Sequence, residues 1–297
     1  MRRLLCAFLF LATGTEAALC ESLPSTVPLT LTQSDYDGGR IYVPVRFGNA
    51  MGTMRLDTGA STSRVGLAPW NKDLPKIGES RSTAASGEAA VCEDVEARNV
   101  QLRASQGPGV ARNSYELTRC ARNDGDDLLG LDFFRRARFS LDLDRREMEL
   151  FDKVPPESRL APFRLLGPDQ RLIGLPLRLG NVTSVGLFDT GAELSAVDQS
   201  FVDAHKGLFT PVKNRLRASA ADGGKISSRV YRVKQVALPD GHVVKNLYAL
   251  AYDFGPLRQA LGRQVAIILG YNFLRKFAWE IDLTTPASPR WSATPRK

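Results

Sequence analysis

The sequence predicts a mainly β protein built from two similar halves, and three observations support this prediction. A motif-bearing segment occurs twice along the 297 residues. Short runs of branched and aromatic residues end at hairpin-turn signals, such as Ile41 to Phe47 before Gly48-Asn49. Helical periodicity is scarce, so we expect only one or two short helices, directly after the Leu-Gly element of each half.

The repeat is the clearest feature of the chain. Residues 44–60 are PVRFGNAMGTMRLDTGA and residues 176–192 are PLRLGNVTSVGLFDTGA, with a constant spacing of 132. Downstream, Ala84-Ala85-Ser86-Gly87 matches Ala220-Ala221-Asp222-Gly223, and Leu128-Leu129-Gly130 matches Ile268-Leu269-Gly270. The spacing grows slightly, as small insertions in connecting loops would produce. Three motifs in the same order predict an internally duplicated chain.

The repeat and the proline distribution predict the domain boundaries. A proline-rich segment without apolar periodicity separates the two copies and is interpreted as a linker. The last residues contain three prolines and no apolar pattern, so they are expected to form a loose tail. The predicted segments are 18–151 for the first half, 152–171 for the linker, 172–283 for the second half and 284–297 for the tail.

The first 17 residues have the three-part pattern of a secretory signal peptide. Arg2 and Arg3 precede an apolar run from Leu4 to Thr13, and Thr15-Glu16-Ala17 supplies small residues for cleavage. A bilayer needs roughly 20 apolar residues, so this run is too short to be a membrane helix. The pattern predicts an extracytoplasmic protein, periplasmic or secreted, without a transmembrane helix in the mature chain.

Cleavage after Ala17 would leave three cysteines. Cys92 and Cys120 are 28 residues apart in one loop-rich region, so they are the expected disulfide pair. Cys20 is left over beside the cleavage site. Lipid attachment at Cys20 is the less favoured alternative, because Leu19 precedes it where a lipoprotein signal has a small residue.

Composition excludes several classes of function. The chain has only two histidines, which excludes a zinc site built on several histidines. It has no HExxH motif, phosphate-binding loop or complete GxGxxG motif, and we predict neither metal nor cofactor. Its net charge of +8 comes from basic residues interspersed with acidic ones, which favours a solvated surface over nucleic-acid binding. Catalysis, if present, therefore depends on carboxylates.

The duplicated Asp-Thr-Gly supplies two such carboxylates. Two carboxyl groups brought together across a twofold axis share one proton, so one acts as base and the other as acid. A water held between them can attack a peptide carbonyl. The threonines can hydrogen-bond across to the opposite copy, and the glycines allow the backbone to approach the carboxylates. The candidate residues are Asp57, Thr58, Gly59, Asp189, Thr190 and Gly191.

At these residues the chain resembles the retropepsin-like aspartic proteases, over about 40–151 and 172–283. The resemblance implies a pepsin/retropepsin-like acid protease fold with two pseudo-twofold-related β-barrel halves. It implies an endopeptidase acting on peptide or protein substrates, with Asp57 and Asp189 as the catalytic pair. Because both copies lie on one chain, we expect activity as a monomer. The flap tips would fall at Ser86 and Gly87 and at Asp222 and Gly223.

The chain departs from that family's pattern in several ways. Neither flap tip carries a tyrosine, and Arg55 stands where an apolar residue is more usual. The copies also diverge after the shared alanine, to Ser61 and Glu193. Glu193 could lie at the mouth of the cleft or face solvent, and we favour solvent. The alternative function is a catalytically inactive peptide-binding module of the same fold. Retention of both aspartates, threonines and glycines favours the enzyme.

Overall fold

The computed structural model describes residues 24–83, 89–121, 125–151, 160–219 and 225–296. The architecture is mainly β with short helices, as the sequence predicts. The strands up to residue 151 are β1 (Ser25–Pro28), β2 (Thr30–Gln33), β3 (Gly39–Phe47), β4 (Ala50–Asp57), β5 (Arg64–Gly66), β6 (Lys76–Thr83), β7 (Ala89–Leu102), β8 (Val110–Cys120), β9 (Leu128–Gly130), β10 (Arg138–Asp142) and β11 (Glu147–Phe151).

The remaining strands begin inside the predicted linker, 152–171, and continue through the second half. The linker prediction is therefore wrong for its last part, where two short strands pair with neighbouring strands. The remaining strands are β12 (Ala161–Pro162), β13 (Arg164–Leu166), β14 (Leu172–Leu179), β15 (Val182–Phe188), β16 (Ser195–Asp198), β17 (Phe209–Ser219), β18 (Lys225–Ala237), β19 (Val243–Tyr252), β20 (Val265–Leu269), β21 (Phe277–Asp282) and β22 (Arg290–Pro295). The short helices are α1 (Gln199–Ala204), α2 (Arg258–Leu261) and α3 (Tyr271–Leu274), with 3-10 turns at Asp35–Asp37, Leu131–Phe134, Lys206–Leu208 and Gly255–Leu257.

Each half contains an eight-stranded sheet, and the two sheets share one strand order. The first runs β2-β3-β4-β9-β5-β8-β7-β6, and the second runs β13-β14-β15-β20-β16-β19-β18-β17. In each sheet the strand that leads to Asp-Thr-Gly pairs in parallel with the strand of the later glycine element, β4 with β9 and β15 with β20. The short helical segments after Gly130 and Gly270 lie where the sequence predicts them.

A third sheet of six strands joins the halves. Its order is β1-β11-β10-β21-β22-β12, and its central pair, β10 and β21, takes one strand from each half. Alternate residues of this pair, such as Phe139, Leu141 and Trp279, are buried in the large apolar core that both halves share. The sheet therefore holds the two halves together beneath the ends of β4 and β15.

The prediction that residues 284–297 form a loose tail is wrong. Residues 290–295 form β22, which pairs antiparallel with β21 and also with β12 of the predicted linker. Trp291 is 1% exposed and packs against Trp279 and Phe163. The three prolines suggested a tail, but two of them precede the strand and the third ends it, so they do not interrupt the pairing.

Helix α1 is also absent from the sequence prediction. Asp198 begins it by accepting a hydrogen bond from the backbone N–H of Ser200. At six residues the helix is too short to give a clear 3.6-residue period, although Asp198 is a recognisable N-cap. Within the described ranges, no helix has the length and apolar character needed to span a bilayer.

The structure has Cys92 and Cys120 in a disulfide, with Cα atoms 4.6 Å apart. Both cysteines are buried, and the bond links β7 to β8 at the end where β8 also pairs with β5. Residues 1–23, which include the predicted signal peptide and Cys20, lie outside the described residues.

Candidate active site

Asp57 and Asp189 come to the same place from opposite halves. Asp57 is the last residue of β4, and Asp189 directly follows β15. The carboxyl groups of the two residues are hydrogen-bonded to each other. Each follows a fully buried anchor, Leu56 or Phe188, that fixes the strand end in its own core. The two copies of the repeated motif therefore place their aspartate side chains next to each other.

Two threonines connect the active-site loops across the boundary between the halves. The backbone N–H of Thr58 donates to Oγ1 of Thr190 at 3.0 Å, and the N–H of Thr190 donates to Oγ1 of Thr58 at 3.0 Å. Each hydroxyl also donates to the carbonyl before the other half's aspartate, Thr58 to Phe188 and Thr190 to Leu56. Both side chains are buried, so these four bonds fix the two loops relative to each other.

Each loop glycine lies against the carboxyl group of the opposite half. A Cβ atom on Gly59 would be 2.4 Å from Cγ of Asp189, and one on Gly191 would be 2.3 Å from Cγ of Asp57. Only glycine fits this close approach. Each glycine also donates its N–H to the aspartate of its own loop, at 3.0 Å for Gly59 and 2.8 Å for Gly191.

Burial raises the pKa of both aspartates. For Asp57 the main cause is desolvation, which outweighs the hydrogen bonds to its carboxylate and the positive charge of Arg55. For Asp189, desolvation together with the negative charge of Asp57 raises the pKa to about 8. Two desolvated carboxyl groups in contact cannot both ionise easily, so the pair holds one proton at neutral pH. This is the protonation state needed for combined acid and base catalysis.

A serine behind each active-site loop fixes the following glycine element. Ser63 Oγ accepts from the N–H of Gly130 at 2.8 Å, and Ser195 Oγ accepts from the N–H of Gly270 at 3.1 Å. These serines are 132 residues apart, so the spacing of the repeat was a sequence signal that the two are equivalent.

The partners of the two serines differ between the halves. Ser63 donates to the Asp132 carboxylate, which also accepts from the hydroxyl of Tyr115. Ser195 instead donates to the side-chain amide of Asn272. Desolvation raises the pKa of Asp132. The first half therefore has a titratable group where the second half has a neutral one.

A charged cluster beside the pair was not predicted. Arg55 donates to the backbone carbonyl of Gly191 and lies 3.5 Å from Oδ2 of Asp126. Arg40 pairs with Asp126 at 3.4 Å and with Glu193 at 3.0 Å. Glu193 therefore faces solvent only in part: 35% of its side chain is exposed, and its carboxylate pairs with a basic residue of the other half. The unusual arginine at position 55 was the available sequence signal.

The predicted flap tips, Ser86-Gly87 and Asp222-Gly223, lie outside the described residues. The described strands on either side of them pair antiparallel, β6 with β7 and β17 with β18. Burial, together with a smaller effect of the Asp189 charge, raises the pKa of Tyr252 at the end of β19.

Comparison with known proteins supports the same fold. Residues 175–273 match the family model of aspartyl proteases. None of the curated proteins matches the sequence. Among solved structures, an aspartic proteinase from Irpex lacteus is similar with 14% identity and a TM-score of 0.50, covering 92% of this chain and 98% of that one.

Two proteins named as basic 7S globulins have similar structures. The basic 7S globulin from soybean has 12% identity and a TM-score of 0.54, covering 93% of this chain and 96% of its own. The conglutin gamma from lupine seeds has 12% identity and a TM-score of 0.53, covering 92% and 96%. The chain thus has the two-barrel fold of the aspartic proteinases, and most of its second half matches the aspartyl protease family model.

Proposed function

We propose that the protein is an aspartic endopeptidase that hydrolyses peptide bonds with a water held between Asp57 and Asp189. The observation that carries the proposal is the contact between two desolvated carboxyl groups, one from each half. The fold alone would not suffice, because unrelated functions share folds. The proposal is supported by three features of the site: the paired acids, the hydrogen-bonded threonines and the glycines packed against the carboxyl groups.

The reaction follows from one shared proton. The ionised carboxylate takes a proton from the water, whose oxygen attacks the peptide carbonyl carbon. The protonated carboxyl group gives its proton to the carbonyl oxygen, and a neutral tetrahedral intermediate forms. Return of a proton to the peptide nitrogen then allows the C–N bond to break, releasing an acid and an amine. The threonine bonds keep the two carboxyl groups at a fixed separation during these transfers.

The direct test is to replace each aspartate with its uncharged isostere. Asp57→Asn or Asp189→Asn removes the shared proton, so each should lower kcat/KM on a peptide library by about 10²–10⁴-fold or more. Asp73→Asn is the matched control, since the Asp73 side chain is 88% exposed and its ion pair is with the exposed Lys72. Full activity in either active-site variant would contradict the assignment.

An inactive peptide-binding module is the second candidate. Two of the similar structures are named as globulins and not as proteinases, so the same fold also occurs in proteins that are not named as proteinases. A binder would retain peptides and release them intact. A hydroxyl-containing transition-state mimic such as pepstatin should bind the enzyme only when both aspartates are present, and cleavage products by mass spectrometry distinguish turnover from binding.

We also propose that the protein acts outside the cytoplasm as a single chain. The signal-like residues 1–17 and the Cys92–Cys120 disulfide favour an oxidising compartment. Both aspartates come from one chain, so the site needs no second copy. N-terminal sequencing of the exported protein should find Ala18 as the first residue, and sedimentation of the active fraction should give a monomer. An uncleaved N terminus or activity confined to dimers would contradict this.

A further inference from the structure

Arg55 is a nearly buried cation two residues before Asp57. Only 12% of its side chain is exposed. One end of its guanidinium group donates to the carbonyl of Gly191, the glycine of the opposite active-site loop. The other end faces the Asp126 carboxylate, which also accepts from the hydroxyl of Tyr42 at 3.1 Å. The side chain therefore joins the first half to the loop that carries Asp189.

The second half has apolar residues at the same positions. Arg55 is paired with Leu128 across β4 and β9, and Leu187 is paired with Ile268 across β15 and β20, so Leu187 is the counterpart of Arg55. By the same register, Ala266 corresponds to Asp126. At the spacing of 132, Leu172 corresponds to Arg40. Leu172 and Leu187 are buried in one apolar cluster, so the fold does not require charge at these positions.

Burying a guanidinium group is unfavourable unless partners compensate for the lost water. Packing alone would be satisfied by leucine, as in the second half. Because the charge is present at this position in the first half only, its role is electrostatic and not one of packing. The charged and titratable groups that face Arg55 are Asp57 on its own strand, Asp189 and Glu193 from the second half, Asp126 before β9, and Arg40 and Tyr42 on β3.

We propose that Arg55 is a positioning residue of the aspartate pair, fixed between Asp126 and the Gly191 carbonyl so that its positive charge favours the pair with a single negative charge. The proposal rests on the endopeptidase function proposed above. In its reactive form the pair carries one proton and one negative charge, and a fixed cation beside it stabilises that charge in a site shielded from water. Consistent with this geometry, Arg55 lowers the pKa of both Asp57 and Asp189, against the larger opposite effect of burial.

The decisive variant copies the second half. Arg55→Leu with Asp126→Ala removes the cation without leaving Asp126 unpaired, so the net charge of the protein is unchanged. Without the cation, both limbs of the pH profile of kcat/KM should move to higher pH by about one unit or more. Arg55→Gln is the second variant. It keeps a hydrogen-bond donor for the Gly191 carbonyl but has no charge, so it should shift the pH profile in the same way. If the double variant does not fold, Arg55→Gln alone tests the effect of the charge.

Two further variants separate charge from packing. Arg55→Lys keeps the charge but loses the two-ended contact, so the limbs of the profile should stay in place while kcat falls. Arg119→Leu is the matched control, since Arg119 is equally buried and also joins a backbone carbonyl to a carboxylate, Asn71 to Glu93. It should leave both limbs unmoved.

A measurement that needs no turnover keeps this inference distinct from the proposed function. Carbon-13 NMR of the Asp57 and Asp189 carboxyl groups reports their titration in the intact protein. If the wild type cleaves nothing but the carboxyl titrations move upward in Arg55→Gln, the endopeptidase proposal fails and the charge effect of Arg55 stands. Titrations that are the same in the wild type and in both uncharged variants would overturn the role of Arg55.

Discussion

Thr58 and Thr190 exchange hydrogen bonds across the boundary between the halves, each donating its N–H to the other's Oγ1 at 3.0 Å. Because each hydroxyl also donates to a carbonyl of the opposite half, four buried hydrogen bonds tie the two aspartate strands together. The geometry of the carboxyl pair depends on this connection.

Thr58→Val keeps the shape of the side chain and removes its hydroxyl. The N–H of Thr190 and the carbonyl of Phe188 would each lose a buried partner, at about 1–3 kcal/mol per group. We expect a fall in the free energy of unfolding and a loss of kcat, both measurable by urea denaturation and peptide assay. Thr53→Val, at an exposed site on the same strand, should change neither. Equal effects of the two substitutions would show that the crossed bonds do not hold the site.

Gly59→Ala tests the approach of each loop to the opposite carboxyl group. Its Cβ atom would meet Cγ and both oxygens of Asp189 within 2.6 Å, so the two loops must move apart. The expected result is a loss of activity greater than any loss of folding, since the acids separate while both cores remain. Gly52→Ala is the control, because a Cβ there meets nothing within 4 Å. Wild-type kcat/KM in Gly59→Ala would contradict the observed packing.

The repeated motif made this part of the site predictable. Asp57, Thr58 and Gly59 have counterparts at a constant spacing, so equivalent placement followed once two similar halves were recognised. The Arg55–Asp126 pair was not predictable in this way. Its members are 71 residues apart, and their counterparts are Leu187 and Ala266, so the repeat contains no trace of the ion pair. Strand β22 escaped prediction for a similar reason, because its pairing with β12 and β21 joins segments that are distant in sequence.

Replacing both disulfide cysteines with alanine should destabilise the first half. The bond joins positions 28 residues apart. A disulfide that closes a loop of this size raises the free energy of unfolding by roughly 3–4 kcal/mol, because it restricts the unfolded chain. The effect should appear as a lower urea midpoint for the double variant. In the wild type, a reducing agent should lower the midpoint in the same way. A wild-type midpoint that is insensitive to reductant would mean that the bond does not form in solution.

Asp132 should make stability depend on pH. Burial raises its pKa above the unfolded value, so its contribution to stability is present below about pH 4 and is lost as pH rises through the folded value. Asp132→Asn copies Asn272 of the second half and cannot ionise. Relative to the wild type, this variant should therefore gain stability in urea titrations as the pH rises from about 4 through the folded pKa of Asp132. Asp73→Asn, at an exposed site, supplies the baseline. A constant difference between Asp132→Asn and wild type across this range would show that Asp132 does not ionise with a raised pKa.

The alanines after each Asp-Thr-Gly should help to set the working pH. The N–H of Ala192 donates to Oδ1 of Asp189 at 3.0 Å, and that of Ala60 donates to the backbone carbonyl of Asp57 at 3.2 Å, but neither side chain offers a hydroxyl. With the pKa of Asp189 raised to about 8, the pair keeps its shared proton far above strongly acid pH. Activity should therefore peak in mildly acid to near-neutral solution, falling at higher pH as the proton is lost.

Replacing both Ala60 and Ala192 with serine adds a possible donor to each carboxylate. A hydrogen bond to the ionised form lowers a carboxyl pKa, so both limbs of the pH profile of kcat/KM should move toward acid. Replacing both with valine adds bulk without a donor and should leave the limbs in place even if kcat falls. An optimum as acid as that of pepsin in the wild type, or equal profiles for the serine and wild-type proteins, would exclude these positions as determinants of the pH range.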